Sequence, residues 1–423
     1  MEPILYLVHR IPYPPNKGDK VRSYHLLRYL SERYRVFLGA FVDDSADIAH
    51  ADVVRSLSAD AFIGRIDPRA ARLKSLKGLA TREPFTVPYY FDSALAAWVD
   101  ATIRREGIRQ AMVFSSAMAQ YVLDRQDLRL VVDFVDVDSD KWTQYAQTRP
   151  RPVSWIYARE GRRLLEFERR VAARADAAVF VSPAEAALFA RLAPETADKV
   201  YGISHGLDHE YFAPSPVRQS PYAPAEEAIV FTGVMDYWPN VDAVCWFARD
   251  VLPAVRHERP NARLYVVGMN PASAVRALAT EAVVVTGRVP DVRPYLQHAR
   301  LAVAPMRLAR GIQTKVLEAM AMARPVITTG GCAAALTAKV GVELEVAQGA
   351  GDFVAKTLAL LESPEAGRSL GQAGRRRVLA DYDWTRNIER IGALVETNAV
   401  VRPGPAELGV VSAVVGIAEA AGR

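Results

Sequence analysis

Ala304-Pro305-Met306-Arg307-Leu308-Ala309-Arg310-Gly311-Ile312-Gln313-Thr314-Lys315-Val316-Leu317-Glu318-Ala319-Met320-Ala321-Met322-Ala323-Arg324-Pro325-Val326-Ile327 runs strand, glycine loop, helix, proline, strand. The apolar positions after Thr314 recur at helical spacing, and Pro325 ends the helix before the next short apolar run. Gly311 lets the backbone approach a ligand closely, and a helix opening at Gln313-Thr314 offers unpaired N–H groups and a positive dipole end to a diphosphate. Lys315 adds a full positive charge there. Glu318 follows on the same face, where a carboxylate can accept hydrogen bonds from both hydroxyls of a ribose. Arg310 is a second candidate for phosphate contact. On spacing alone, an ordinary surface pair at i,i+3 explains Lys315 and Glu318 equally well.

The same alternation extends in both directions. Upstream, Ala228–Thr232, Arg263–Val267, Ala282–Val285 and Leu301–Ala304 read as strands, separated by helices at Val241–Val251, Pro271–Ala279 and Val292–His298. The first half repeats the pattern, with strands at Ile4–Val8, Val36–Phe41, Ala111–Phe114, Leu130–Phe134 and Ala177–Val181. Its helices are Ser23–Arg33, Ala94–Arg105 and a long amphipathic one over about Pro152–Arg174. Short apolar runs alternating with helix-length segments are the pattern of an α/β protein with parallel sheets covered on both faces. Two such series imply two doubly wound, Rossmann-like domains facing across a cleft, where ligands of such sheets bind. The Pro- and Ser-rich stretch Ala213–Pro224 reads as the linker between residues 1–212 and 213–384, and residues 385–423 return as a helix to the first domain.

Composition narrows the classes. A chain of 423 residues that is half apolar can bury more than one core, and a formal net charge of only +5 argues against a nucleic-acid partner. Cys245 and Cys332 lack the spacing of a zinc site and read as packed thiols of a reducing compartment. Glu2 stands where a secretory signal carries positive charge, and the apolar run Leu408–Ala418 is too short to span a bilayer. A cytoplasmic protein is expected. Arg69–Phe91 mixes Arg69, Arg72, Lys74, Lys77 and Arg82 with leucines and aromatics. That mix suits either the surface of the inner membrane or a solvated helix followed by a packed aromatic loop.

Several motifs, in order, resemble the retaining family-4 glycosyltransferases of the GT-B fold. They are the Gly311–Glu318 segment, Ile203-Ser204-His205-Gly206-Leu207-Asp208 with Phe212-Ala213-Pro214, Phe231-Thr232-Gly233 with Pro239-Asn240, Val285-Thr286-Gly287-Arg288-Val289, and Tyr382-Asp383-Trp384. The resemblance implies transfer of a sugar from a nucleotide-sugar donor to a glycan or lipid-linked acceptor. The donor is a substrate, and neither a cofactor nor a metal is implied. It assigns Gly18, Gly233, Arg288, Val289, Gly311, Ile312, Gln313, Thr314, Lys315 and Glu318 to the donor, with Glu318 at its ribose and Arg288-Val289 at its base. The words Asn16–Arg22, Asp133–Trp142 and Gly311–Glu318 are similar to sugar transferases of exosortase (PEP-CTERM) loci in Gram-negative bacteria, which implies exopolysaccharide biosynthesis.

Two positions depart from that family's pattern. Arg310 stands where many members carry a first glutamate, and Val135-Asp136 where many carry a catalytic histidine. Asp136 and Arg310 are therefore the candidate catalytic positions. The departing diphosphate can itself take the acceptor proton in a transfer on one face of the sugar, so little is asked of a protein base. Lys17, in the loop Pro12–Lys20 after the first strand, and Arg22, at the start of the helix that begins near Val21, are expected to add charge on the acceptor side. Asp133, Asp136 and Asp138, with Asp140, permit an alternative reading as a divalent-metal site. The rival functions are a GT-B-fold epimerase or phosphorylase, and a non-catalytic nucleotide-sugar-binding subunit. The absence of G-x-G-x-x-G after the first strand argues against a dehydrogenase.

Overall fold

The computed structural model describes residues 1–15, 18–76, 78–148, 150–307 and 311–396. Lys17, Lys77, Arg310 and the apolar run Leu408–Ala418 lie outside the described residues. The chain divides into two compact units, residues 1–204 with 385–423, and 205–384.

The first unit is built on a seven-stranded parallel sheet: β1 (Pro3–Val8), β2 (Arg35–Val42), β3 (Asp60–Arg65), β4 (Gln110–Phe114), β5 (Arg129–Val135), β6 (Ala177–Phe180) and β7 (Val200–Gly202). The spatial order is β3-β2-β1-β4-β5-β6-β7, so the winding reverses between β1 and β4. The central strands are apolar on both faces because helices cover both, and Ile4, Leu5, Tyr6, Leu7 and Val8 are all fully buried. The helix Trp384–Glu396 closes this unit. Arg129 donates to the Leu394 and Val395 carbonyls at 2.8 and 3.1 Å, which ties off the orphan acceptors at the helix end.

The second unit has a six-stranded parallel sheet: β8 (Glu227–Thr232), β9 (Ala262–Val267), β10 (Val283–Gly287), β11 (Leu301–Ala304), β12 (Val326–Thr328) and β13 (Glu345–Val346). Its order is β10-β9-β8-β11-β12-β13, which puts the reversal between β8 and β11. Ligands of doubly wound sheets bind outside the strand carboxyl ends at such a reversal. Entry and exit of the chain meet inside this unit: Leu207 N–H donates to the Tyr382 carbonyl at 2.7 Å, and a Cβ on Gly206 would lie 2.3 Å from the Trp384 ring.

The unit boundary falls at Ser204/His205, not after residue 212. The predicted linker is a strap packed on the second unit. Gln297 holds Ser215 through both backbone groups at 3.0 and 2.7 Å, and Tyr222 lies edge-on to Tyr265 with its hydroxyl donating to the Tyr295 carbonyl at 2.6 Å. Proline and serine do keep the strap irregular. Its tyrosine and its satisfied backbone polar groups dock it all the same.

Candidate functional site

Beside the reversal of the second sheet, the chain just past β8 and the chain just past β9 come into close contact. Gly268 has φ +157, and a Cβ there would sit 1.6 Å from the Gly233 carbonyl oxygen; Gly233 itself has φ +153. Only glycine permits this approach. Gly268→Ala is expected to destabilise the second unit by about 3 kcal/mol, roughly 6–12 °C in melting temperature, with calorimetry as the check.

A Cβ on Gly233 would stand 2.8 Å from Asn240 Nδ2 and 3.4 Å from Lys315 Cε, so the bare glycine is what leaves room for those two side chains to meet. Lys315 Nζ donates to Asn240 Oδ1 at 2.6 Å, and Asn240 donates from Nδ2 to the Val234 carbonyl at 2.8 Å. The ammonium lies 5.0 Å from the centre of the Phe231 ring and 3.9 Å from Met306 Sδ. Three chain segments thus aim one cation at the strand ends. Burial pushes Lys315 down to about 8, and a group so placed gains most from an anion that replaces its lost water.

The helix Thr314–Ala321 starts at this point. Gly311 turns the chain into it with φ +60, and Gln313 makes no side-chain cap, so the first amides are left for a ligand. One turn further, Glu318 is part-buried, and its carboxylate has no hydrogen-bond partner among the described residues. Burial raises it to about 7 against the opposing pull of Lys315. Ile312 and Val289 pack against the core of the unit, Thr314 and Arg288 are exposed, and Gly287 turns with φ +66 into open space before Arg288. Arg288 has no ion-pair partner among the described residues, which suits a contact completed by ligand. Asn240, Phe231 and Met306 are the contacts that sequence reasoning left out of the site. Asn240 was visible only as part of the Pro239-Asn240 word.

In the first unit the strand ends carry a different constellation. Ser115 after β4 and Val135 at the end of β5 hold φ of +77 and +70, uncommon for any side chain and strained for a β-branched one. Asp136 lies just beyond Val135, where Lys141 Nζ binds it at 2.7 Å and Asp138 at 2.9 Å. At the end of β1, His9 stacks on Phe114 with ring centres 5.9 Å apart and approaches Asp19 at 3.5 Å. Arg10 bridges Asp19 and Asp43. Burial alone would raise Asp19, but the hydrogen bond from His9 and the Arg10 charge outweigh it and hold the carboxyl well below its usual range. His9, Arg10 and Asp43 were not singled out from sequence, because the parallel pairing of β1 with β2 is what brings them together.

One expectation is corrected here. Arg22 does not project: it is fully buried, with Nε 2.6 Å from Asp133 Oδ2 and Nη1 donating to the Ile203 carbonyl at 2.9 Å. Around the acidic cluster after β5, Arg22 binds Asp133 and Lys141 binds both Asp136 and Asp138. Gly18 is exposed with open space around it and opens the helix Gly18–Arg33.

Residues 226–363 match the model of the family described as Glycosyl transferases group 1. That segment is similar to the group 1 glycosyltransferases. The match takes in the strand ends, Gly233, Asn240, Lys315 and Glu318 of the site just described. Among solved structures, the chain is similar to sucrose-phosphate synthase from Thermosynechococcus elongatus, with 18% identity and a TM-score of 0.66 over 93% of this chain and 98% of that one. It is also similar to Anabaena Alr3699/HepE in complex with UDP, with 15% identity and a TM-score of 0.65 over 93% and 98%. TarM gives 10% identity and 0.60 over 94% and 99%. At these identities the likeness is one of fold, and the fold is GT-B. No curated protein matches the chain by sequence.

Proposed function

We propose that the protein is a retaining glycosyltransferase that moves a sugar from a nucleotide-sugar donor to a glycan or lipid-linked acceptor, working in exopolysaccharide assembly at the cytoplasmic side of the inner membrane. One observation carries the donor half. Lys315, desolvated and held by Asn240, stands beside an uncapped helix start, with Glu318, which has no hydrogen-bond partner among the described residues, one turn behind it. In this reading the helix amides and Lys315 take the diphosphate, Glu318 takes the ribose hydroxyls, and Arg288 with Val289 meets the base. As the bond from the anomeric carbon to the phosphate oxygen breaks, the electron pair leaves with the nucleoside diphosphate. Lys315 and the helix dipole stabilise the negative charge that develops there. The acceptor oxygen bonds to the same face of the anomeric carbon, and its proton passes to the departing phosphate. Asp136 orients the acceptor hydroxyl, and Arg310 is a catalytic candidate at the position where a glutamate is more usual. Lys17 contributes charge on the acceptor side.

The assignment to exopolysaccharide assembly draws on the resemblance of the Asn16–Arg22, Asp133–Trp142 and Gly311–Glu318 words. For the donor, the Anabaena HepE structures hold UDP and UDP-glucose, which makes a uridine nucleotide sugar the first to try. The test is a thermal-shift panel of UDP-, GDP-, ADP- and TDP-sugars. A donor at 100 times its Kd stabilises the folded state by about 2.7 kcal/mol, or roughly 5–10 °C for a unit of this size. One base class should shift the transition and the others not; a panel with no shift refutes the donor site.

A further inference from the structure

The helix Pro68–Ser75 is opened by Asp67, whose carboxylate accepts from Arg69 N–H at 2.8 Å, and it buries Ala71 and Ser75. Its outer side is apolar at the tips and cationic at the rim. Leu73 is 72% exposed, and Leu76 and Leu79 are each 52% exposed. Residues 68–82 hold five cations, Arg69, Arg72, Lys74, Lys77 and Arg82, and no carboxylate. Arg69, Arg72 and Arg82 are exposed and have no ion-pair partner among the described residues. A solvated helix of a soluble domain normally shows polar tips and mixed charge here, so an outward row of leucines inside a one-sign rim calls for a partner.

This face is held rigid from behind. Glu160, buried on the long helix Val153–Arg174, accepts from Phe85 N–H at 2.6 Å, Thr86 N–H at 3.0 Å and the Thr86 hydroxyl at 2.7 Å. Its neighbour Arg159 donates to the Gly78 carbonyl at 2.5 Å and lies over the Phe85 ring. One turn ahead of that pair, on the same side of the helix, Ile156 and Trp155 are exposed, Trp155 by 60%. Leu73, Leu76, Leu79, Trp155 and Ile156 therefore rim one edge of the unit, presented by two elements clamped together. None of the described helices is long and apolar enough to cross a membrane.

We infer that this edge docks on the surface of an anionic lipid bilayer, with the leucines and Trp155 entering the acyl boundary and the arginines meeting lipid phosphates. Charge complementarity selects the occupant. The stretch between Asp67 and Glu83 carries cations and no carboxylate, a bilayer supplies negative charge and an apolar layer at the same level, and tryptophan prefers that level. The inference rests on the proposed lipid-linked acceptor for its purpose, not for its test, because vesicle binding is read without donor and a positive donor panel stands whatever the vesicles show.

The experiment is sedimentation of the full chain with vesicles of phosphatidylcholine alone and of phosphatidylcholine mixed with phosphatidylglycerol, at low and high salt. Binding is expected to the mixed vesicles only, weaker at high salt. Arg69→Gln with Arg72→Gln should weaken it roughly 25-fold at low salt, about fivefold per cation. Leu73→Ser, Leu76→Ser and Leu79→Ser together should abolish it at unchanged melting temperature, because all three side chains are exposed. In wild-type protein, vesicles should shift tryptophan emission to shorter wavelength, and Trp155→Phe should remove that shift even where a leucine variant fails to fold. Absence of binding, binding indifferent to lipid charge, or wild-type binding by both variants overturns the inference.

Discussion

Replacing Lys315 by Met and Glu318 by Gln together is expected to abolish stabilisation by donor and yet make the empty protein more stable near neutral pH. Burial raises Glu318 from an ordinary 4.5 to about 7, so between those values the unfolded chain ionises while the folded one resists, and stability falls as pH rises. Burial lowers Lys315 from 10.5 to about 8, so in that upper window the folded chain has shed a proton the unfolded chain keeps, and stability climbs with pH. Both penalties are in force only between about 7 and 8. There the double variant should gain about 1–3 kcal/mol over wild type, with the difference shrinking toward pH 5 and pH 10. Denaturant midpoints across that range read it directly. Turnover should fall by about 100- to 1,000-fold in Lys315→Met alone, the scale for removing one preorganised group that stabilises developing charge. A site that merely decorates a surface helix shows neither effect: its substitution leaves both turnover and the pH profile as they were. A double variant less stable than wild type at pH 7.5 would sink this account.

The segment proposed to bind the donor is local. Gly311, Lys315 and Glu318 stand on one turn-helix segment, so spacing alone placed them together. The partner that holds Lys315 is Asn240, 75 residues away, and only the sheet order β8-β11 makes them neighbours. The central strands were legible as continuous apolar runs, whereas β3, β7 and β13 were not. The first is half-exposed and interrupted by Gly64, and the others span three and two residues, too short for any period to show. Asp138 and Asp140 stand in the first turn of the helix Asp138–Thr148, where acids complement the dipole. The helix expected over Pro271–Ala279 contracts to Ser273–Arg276, Pro271 and Ala272 lying ahead of its start. Arg22 was read as an acceptor-side cation because sequence shows charge and not depth. Its acid is 111 residues on, and no pattern within the first strand and loop announces a buried pair.

That pair makes the second large prediction. Arg22→Met leaves Asp133 without its cation in a place fully closed to solvent, and removing one member of a buried ion pair costs about 3–5 kcal/mol. For a unit of this size that is roughly 6–20 °C of melting temperature. Burial already raises Asp133 above its usual range, with Arg22 pulling the other way, so losing Arg22 drives the carboxyl further toward its neutral form. The variant's deficit should therefore shrink as pH falls, because protonating Asp133 removes the uncompensated charge. Arg22→Met with Asp133→Leu should recover part of the loss, since an apolar pair of similar volume is tolerated where a lone charge is not. Recovery should be incomplete. Asp133 Oδ1 also accepts the Val135 N–H at 3.1 Å, and that hydrogen bond helps hold Val135 at φ +70 with Asp136 next in the chain. Arg22 likewise loses its donation to the Ile203 carbonyl, one residue before the chain leaves the first unit at Ser204. A double variant with wild-type stability but reduced turnover would separate the two duties of the pair, one in packing and one in shaping the end of β5. If Arg22→Met keeps wild-type stability at every pH, the pair has neither.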